Sequence, residues 1–329
     1  EYGIDSPGNM DQLLAIAKPS IGVVTAIGDI PVHVEFFKNP QELAKEKRKL
    51  IEALDSSGHA ILNIDDAAVR EMAGKTTAHV VTYGFAESAD IRVIYYELRM
   101  VKDEYGGNVP GGMSFKADYK GSVVPIRLHG ALGKPQASAA AAAIAVGVTL
   151  GMNLVDIAEA LQTYVPQPGR MRLISGVRRS LILDDTYNAA PESTKAALET
   201  LKNIPAKRKV AILGTMAELG ALSEQAHRMI GEQAAECADV LIGVGSQARY
   251  MIEEARKHAQ QLMIGETLFF YDDSKSAAKS ILPLIQEGDL ILVKGSQSVR
   301  MERVAEALMA HPEDAGRFLV RQENTWKSR

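Results

Sequence analysis

In the second half of this chain short apolar runs alternate with helical stretches, and that rhythm restricts the fold more than any other feature. Strands are expected at Leu181–Leu183, Val210–Leu213, Val240–Val244, Leu268–Tyr271 and Leu290–Val293. Helices are expected between them, at Glu192–Leu201, Glu224–Cys237, Ala248–Ala259, Lys275–Ile285 and Arg300–Met309. Such alternation predicts a mostly parallel sheet with helices on both faces. The first half is more mixed. Its strand candidates are Ile21–Ile27, His59–Ile64, His79–Tyr83, Ile91–Glu97, Met113–Tyr119 and Ser122–Leu128, and its helix candidates are Asn9–Ala17, Pro40–Leu54, Ala137–Leu150 and Leu154–Thr163. The Gly-rich segment Tyr105–Gly112 reads as a hairpin loop, so an α/β domain with an antiparallel portion around 90–128 is expected.

The segment Val165-Pro166-Gln167-Pro168-Gly169 ends one helix and starts a new segment. It divides the chain into domains at 1–166 and 167–310, with 311–329 as a polar tail, and 329 residues suit about two domains at ~150 residues each. A net charge of −4 supplies no global field for nucleic acid or an anionic membrane. Cys237 is the single cysteine, which excludes an intramolecular disulfide and a multi-cysteine metal site and fits a reducing, cytoplasmic setting. The apolar run from Ala137 to Met152 is shorter than the ~20 residues that span a bilayer, so a buried helix is expected. The chain opens at Glu1 rather than Met and reads as cut from a longer polypeptide.

One helix carries a residue out of place. Asn39 suits an N-cap, Pro40 the first helical position and Glu42 the third. Leu43, Leu50, Ile51 and Leu54 then share one face at ~100° per residue, and Lys47 falls inside that apolar stripe. Burying an unpaired ammonium is costly. The plainer reading is a lysine whose stem lies along the stripe while its head reaches an edge. The sharper one is a lysine of lowered pKa whose neutral amine takes up carbon dioxide, giving a carbamate that suits a hard cation such as magnesium. His33, just before this helix, and Glu1 at the head of the chain are further candidate ligands, neither diagnostic by itself.

A second candidate lies at the turn Asp184-Asp185-Thr186-Tyr187-Asn188-Ala189-Ala190-Pro191, between a short buried strand and a helix. Ligands of doubly wound sheets bind at the carboxyl ends of strands, where helix N-termini point. Asp185 suits ribose hydroxyls and Asn188 a nucleotide or substrate. The same residue types also make an ordinary capping turn, and the residues alone leave the two readings level. Two further segments imitate phosphate-binding motifs. Gly74-Lys75-Thr76-Thr77 lacks the earlier glycine, which is Val69, and follows a helix-like segment rather than a strand. Gly243-Val244-Gly245-Ser246-Gln247-Ala248 matches the dinucleotide fingerprint, and Asp272 ends the next strand, but the unit is third in its domain rather than first.

Taken together, several stretches resemble the Mur ligases, and within them the D-alanyl-D-alanine-adding (MurF) branch of peptidoglycan synthesis. The most specific is Leu183–Ser193, similar to that branch's DDSYNANPxS. Gly3–Gly8, Asn63-Ile64-Asp65-Asp66, Pro168-Gly169-Arg170-Met171, Leu213–Gly220 with His227, and Val293-Lys294-Gly295-Ser296 support it, so the resemblance runs from Glu1 to about Met309. It implies an incomplete Mur ligase central ATPase-type α/β domain followed by a Rossmann-like C-terminal domain. The implied activity is an ATP- and Mg2+-dependent amide ligation in which a substrate carboxylate becomes an acyl phosphate and an amine displaces phosphate. The implied partners are a UDP-MurNAc-peptide and D-Ala-D-Ala, acting on a cytoplasmic monomer without nucleic acid or membrane insertion.

Residue by residue, the resemblance makes Glu1, His33 and a carbamylated Lys47 the magnesium ligands, with His33, Lys47 and Arg170 catalytic. Arg170 reaches the ATP phosphates, Asp185 the ribose, and Tyr187 and Asn188 lie at the nucleotide or substrate. Lys294 and Ser296 lie in the loop facing the incoming amine. There are departures. The phosphate loop GxxGK[ST] is absent from the 329 residues, and so is the small uridine-gripping domain, which predicts a chain inactive or nearly so by itself. Ala139 stands where the family places an adenine-contacting asparagine, Ala190 where it has a second asparagine, and Gln297 where it has an arginine. The turn Gly28–Val32 is slightly longer than usual. Three alternatives are carried forward: another Mur-family ligase, a nicotinamide-dependent oxidoreductase using Gly243–Ala248, and a non-catalytic Mur-like scaffold.

Overall fold

Each half of the chain is organised around a six-stranded sheet. The structure is a computed structural model that describes residues 1–103, 106–259 and 262–327. Spatially the chain divides into two units, Glu1–Val165 with Glu218–Gly220, and Pro166–Ala217 with Ala221–Arg329.

In the first unit β1 (Ile21–Val24), β2 (His59–Asn63), β3 (His79–Gly84) and β4 (Ile91–Lys102) run parallel in that order. The sheet continues antiparallel through β5 (Asn108–Tyr119) and β6 (Ser122–His129), the antiparallel portion expected around 90–128. Around it lie α1 (Asn9–Ile16), α2 (Pro40–Glu52), α3 (Ala67–Arg70), α4 (Lys134–Thr149) and α5 (Leu154–Leu161). The start of α2 is as the sequence predicts: Asn39 Oδ1 accepts from Glu42 N–H at 2.9 Å with Pro40 beside it. The Ala-rich helix α4 is buried as expected, with Ala137, Ala141, Ile144 and Ala145 in one cluster with Ile61, Tyr83 and Met113. It begins at Lys134 rather than Ala137, because Pro135 sits in the first turn, where a missing N–H costs nothing. Among the described residues no helix is long and apolar enough to cross a membrane.

Two boundaries differ from expectation for identifiable reasons. β1 ends at Val24, short of Ile27, because the Ile27 and Gly28 N–H groups leave the sheet and donate to Asp66 Oδ2 at 2.7 and 2.8 Å. The hairpin loop expected over Tyr105–Gly112 is shorter. Asn108 already pairs with Lys102 in β5, and residues 104 and 105 lie outside the described residues.

In the second unit the strands are β7 (Arg172–Ser175), β8 (Leu181–Asp185), β9 (Lys209–Gly214), β10 (Val240–Val244), β11 (Leu268–Tyr271) and β12 (Leu290–Lys294). Their order is β11-β10-β9-β12-β8-β7, parallel except for β7, an antiparallel edge strand with no counterpart in the sequence reading. The inner strands are mostly apolar because helices cover both faces, with the charged exceptions at strand ends. The helices are α6 (Pro191–Asn203), α7 (Ser223–Cys237), α8 (Ala248–His258), α9 (Ser274–Ser280), α10 (Glu302–Leu308), α11 (Ala315–Phe318) and α12 (Asn324–Lys327). The helix expected over Lys275–Ile285 stops at Ser280, and Pro283 lies in a separate 3-10 turn, Leu282–Leu284. The polar tail expected over 311–329 is instead packed: Ala315 and Leu319 belong to the core and Arg321 is buried.

Candidate functional site

Strand order decides which motifs meet. β12 lies between β8 and β9, and its last residue, Lys294, pairs in register with Asp185 of β8 and Leu213 of β9. Three carboxyl ends therefore open side by side. Lys294 Nζ donates to Asp185 Oδ2 at 2.6 Å and to the Asn188 carbonyl at 2.9 Å. Asp185 Oδ1 accepts from Met171 N–H at 3.2 Å, and Asn188 Oδ1 accepts from Ala189 N–H at 2.9 Å and Gln297 N–H at 3.4 Å. Ser296 Oγ donates to the Ala189 carbonyl at 3.2 Å and accepts from Ala217 N–H at 2.8 Å. The structure thus joins Asp185, Asn188, Lys294 and Ser296. Lys294 ends β12 rather than lying in the loop that follows, and it is 3% exposed with its ammonium against Asp185.

Beneath this layer Asp184 is fully buried. Its Oδ2 accepts from Gly169 N–H at 2.8 Å and its Oδ1 from the Thr186 hydroxyl at 2.6 Å. Burial pushes its pKa up to about 6, against those hydrogen bonds. Gly169 has φ +71°, and a Cβ there would stand 2.8 Å from Tyr187 N, so the close approach needs glycine. That approach sets the next residue, Arg170, over the turn, its guanidinium 4.0 Å from the centre of the Tyr187 ring. Arg170 and Tyr187 are both exposed, a cation stacked on an aromatic ring at the surface.

The loop after β9 is fixed from another side. Met216 N–H donates to His227 Nε2 at 2.9 Å, and His227 Nδ1 lies 2.7 Å from the Ser223 carbonyl. These partners assign the neutral tautomer with the proton on Nδ1. Burial lowers the pKa of this imidazole.

The Gly243–Ala248 segment connects β10 to α8 as its pattern predicts, but its N–H groups are largely occupied. Gly245 N–H donates to the Tyr271 carbonyl, Gln247 N–H to Thr215 Oγ1 and Ala248 N–H to the Gly245 carbonyl. A pyrophosphate would need those donors, so the oxidoreductase alternative loses its site.

In the first unit the expected metal residues are less closely joined. Lys47 is half-buried on α2; burial holds its ammonium below the usual lysine range, and Asp66 pulls the other way. Asp66 itself is committed to the Ile27, Gly28 and Val69 N–H groups. Glu1 is exposed outside regular structure, and His33 lies in the left-handed region at φ 69° ahead of a short 3-10 turn. Among the described residues no three His, Cys, Asp or Glu side chains form a group that could hold a metal ion.

Several structural partners were not legible. Glu46, beside Lys47, is buried and accepts from the Gly8 and Met10 N–H groups, both at 2.9 Å; a charge between Leu43 and Leu50 was its only signal. Asp184 had a signal in the run Leu181-Ile182-Leu183-Asp184, which continues a buried strand into an acid. Arg300, Glu302 and Arg321 form a buried ion group with no local pattern to reveal it.

Comparison with known proteins adds to this geometry. The Mur ligase middle domain model matches residues 1–147, and the model "Mur ligase, glutamate ligase domain" matches residues 169–297. A UDP-N-acetylmuramoyl-tripeptide--D-alanyl-D-alanine ligase of Mycobacterium leprae is 33% identical over 94% of this chain and 62% of its own length. The Bacillus subtilis enzyme of the same name is 27% identical over 95% of the chain and 64% of its own length. The chain thus spans about three-fifths of these relatives. A solved structure of MurF ligase from Thermotoga maritima in complex with ADP superposes with a TM-score of 0.78 at 25% identity, covering 96% of this chain and 67% of that one.

Proposed function

This chain belongs to the Mur ligase family, and from that premise we propose that it serves an ATP-dependent ligase adding D-alanyl-D-alanine to a UDP-MurNAc-tripeptide through an acyl phosphate. The observation that carries the reading is the joined set at the strand ends. Asp185, Asn188, Lys294 and Ser296, from two motifs far apart in sequence, are bonded together with Arg170 and Tyr187 exposed beside them. The relatives' printed names supply the substrates.

The donor chemistry fits a nucleotide. Asp185 is held in place by Lys294 yet retains lone pairs for ribose hydroxyls. Arg170 offers a guanidinium for phosphate oxygens and Tyr187 a flat face. Lys47 fits its proposed part as well, since burial favours the neutral amine that takes up carbon dioxide. As a carbamate it would hold magnesium together with Glu1 and His33. Bound magnesium–ATP supplies the phosphoryl group that activates the substrate carboxylate. The chain's own residues position the reactants and neutralise charge, which is most of what phosphoryl transfer asks of a protein. On this reading residues 1–166 belong to the central domain and 167–310 to the C-terminal one. The partners are small molecules, the working form is a monomer and the setting is the cytoplasm.

The test takes binding first and chemistry second. Calorimetry should detect ADP binding to the chain, weakened about tenfold or more by Arg170→Ala. Phosphate release should require the UDP-MurNAc-tripeptide and D-Ala-D-Ala together. It should be slow with the 329-residue chain alone, which contains no GxxGK[ST] to cradle the γ-phosphate. Release driven by a different amine would move the reading to another Mur-family ligase. Rapid turnover by the chain alone would overturn the need for that loop.

A further inference from the structure

The match to the C-terminal family model ends at residue 297, and the chain beyond α10 folds back over the candidate site. Ala310 N–H donates to the Ser175 carbonyl at 3.0 Å, Arg172 Nη1 donates to the Arg317 carbonyl at 3.1 Å, and Ala315 and Leu319 enter the core. Past Leu319 the segment crosses the nucleotide-side turn. Val320 packs at Gly169, where a Cβ would meet its Cγ1 at 3.0 Å. Arg321 Nη1 donates to the Thr186 carbonyl at 3.1 Å and to Glu302 Oε2 at 3.2 Å, while Nη2 donates to the Tyr187 carbonyl. Arg300 binds the other Glu302 oxygen and donates to the Trp326 carbonyl at 2.8 Å.

We propose that Arg321 is a positioning residue, and that the C-terminal strap carrying it, residues 312–327, sets the shape of the Thr186–Asn188 turn and thereby the nucleotide affinity of the site. The effect on affinity rests on the nucleotide reading given above; the hold of strap on turn does not.

The argument begins where β8 ends. After Asp185 the backbone leaves the sheet, and the carbonyls of Thr186 and Tyr187 lose the ladder partners that a strand provides. One guanidinium fork takes both of these successive carbonyls, which fixes the orientation of two peptide planes at once. An ammonium has no such fork. Arg321 is 8% exposed, so its charge needs compensation, and Glu302 at the start of α10 provides it. From the other flank Lys294 holds the next carbonyl, that of Asn188. The turn is therefore gripped from β12 on one side and from the strap on the other. Its Tyr187 ring is left between two guanidinium groups, Arg170 at 4.0 Å and Arg321 at 5.7 Å.

Trp326, the single tryptophan of the chain, lies in the strap with the Arg300 guanidinium 5.3 Å from its ring, so its fluorescence reports docking of the strap. The test compares the unaltered chain with Arg321→Ala, Arg321→Lys and Leu319→Ala. The last loosens the strap's apolar anchor without touching the turn. Three readouts are taken: Trp326 emission, hydrogen exchange of the amides at 186–190, and ADP affinity by calorimetry. We expect Arg321→Ala and Leu319→Ala to shift the emission to the red and speed exchange at 186–190 with β9 and β10 unaffected. ADP binding should weaken by about tenfold or more. Arg321→Lys should keep the strap docked yet recover only part of the affinity, because the fork is gone. Unchanged exchange at 186–190 in Arg321→Ala overturns the hold of strap on turn. Faster exchange with unchanged ADP affinity overturns the positioning role, as does a lowered melting temperature with full affinity in the folded protein. If the unaltered chain binds no ADP, the nucleotide reading fails, and the exchange data still judge the strap.

Discussion

Lys294 is buried and Lys47 half-buried, one in each unit, and the protein treats them in opposite ways. Lys294 ends an inner strand with a carboxylate and a carbonyl within hydrogen-bond distance. Lys47 lies on a helix face with no hydrogen bond or ion pair among the described residues, and its only counter-charge, Asp66, is already engaged by three backbone N–H groups. A paired ammonium is a fixed strut. An unpaired one favours the neutral amine and becomes a nucleophile. The same residue type therefore serves architecture in one unit and suits chemistry in the other. The sequence already set Lys47 apart as a lysine for chemistry, whereas the motif resemblance placed Lys294 toward the substrate and left its pairing with Asp185 unseen.

The sharpest way to break this contrast is to remove the strut. Lys294→Ala leaves the buried Asp185 carboxylate with one backbone donor and the Asn188 carbonyl with none from the lysine. Breaking one side of a buried pair costs about 3–5 kcal/mol, much of it the penalty of the stranded charge. Urea unfolding of the second unit should show a loss of that order. Lys294→Met combined with Asp185→Asn should lose clearly less, because neither charge is then stranded. A loss below about 1 kcal/mol for Lys294→Ala would return the residue to a substrate-facing role.

What the sequence revealed divides along similar lines. The alternation of strands and helices in the second unit was legible because its inner parallel strands are short, mostly apolar runs set between helical stretches. The start of α2 was legible because Asn39 and Pro40 act within one turn. Motif resemblance singled out Asp185 and Asn188 at one place and Lys294 and Ser296 at another, but not their meeting, which depends on β12 inserting between β8 and β9. The hold of Arg321 on Thr186 and Tyr187 joins distant parts of the chain and left no local trace. The tail looked polar because Ala315 and Leu319 are sparse anchors among charges, and spacing alone does not tell an anchored strap from a loose end.

His227 sharpens the comparison as a third buried basic group, one kept neutral by its partners. It accepts from Met216 N–H, and a second ring proton would face that donor. Its folded pKa lies below the ordinary 6.5, so the unfolded chain binds more protons in the window beneath that value. Stability from this group is complete above pH 6.5 and is lost as pH falls through the folded value. Asp184 has the opposite sign. Its folded pKa, about 6, lies above the ordinary 3.8, so its contribution is complete below 3.8 and declines as pH rises through 6. Urea unfolding at a series of pH values between 7 and 5 should show the unaltered chain losing stability to the histidine, partly offset by Asp184. In His227→Gln the histidine slope should vanish and leave the Asp184 slope exposed, with stability rising as the solution is acidified. An unchanged slope would mean that the imidazole is not held neutral.

The smallest expected effect belongs to Lys47, and its smallness is the point. Because burial lowers its pKa below the ordinary 10.5, the unfolded chain binds more protons between the two values, and the ammonium is a net liability to the folded state at neutral pH. Stability linked to this group rises with pH through that window and is complete above 10.5. Lys47→Met should therefore be neutral or slightly stabilising at pH 7, and its advantage should shrink as the pH approaches 10.5, measured by denaturation of the first unit. With labelled bicarbonate the unaltered chain should give a carbamate carbon resonance that Lys47→Met lacks, because burial shifts this amine toward the uncharged form that reacts. A loss of several kcal/mol in Lys47→Met would make Lys47 a strut to Asp66, as Lys294 is to Asp185, and the contrast between the two lysines would collapse. A neutral substitution together with loss of the resonance would show why a fold tolerates an unpaired lysine on an otherwise apolar helix face: its value lies in the amine, whose uncharged form the surroundings favour.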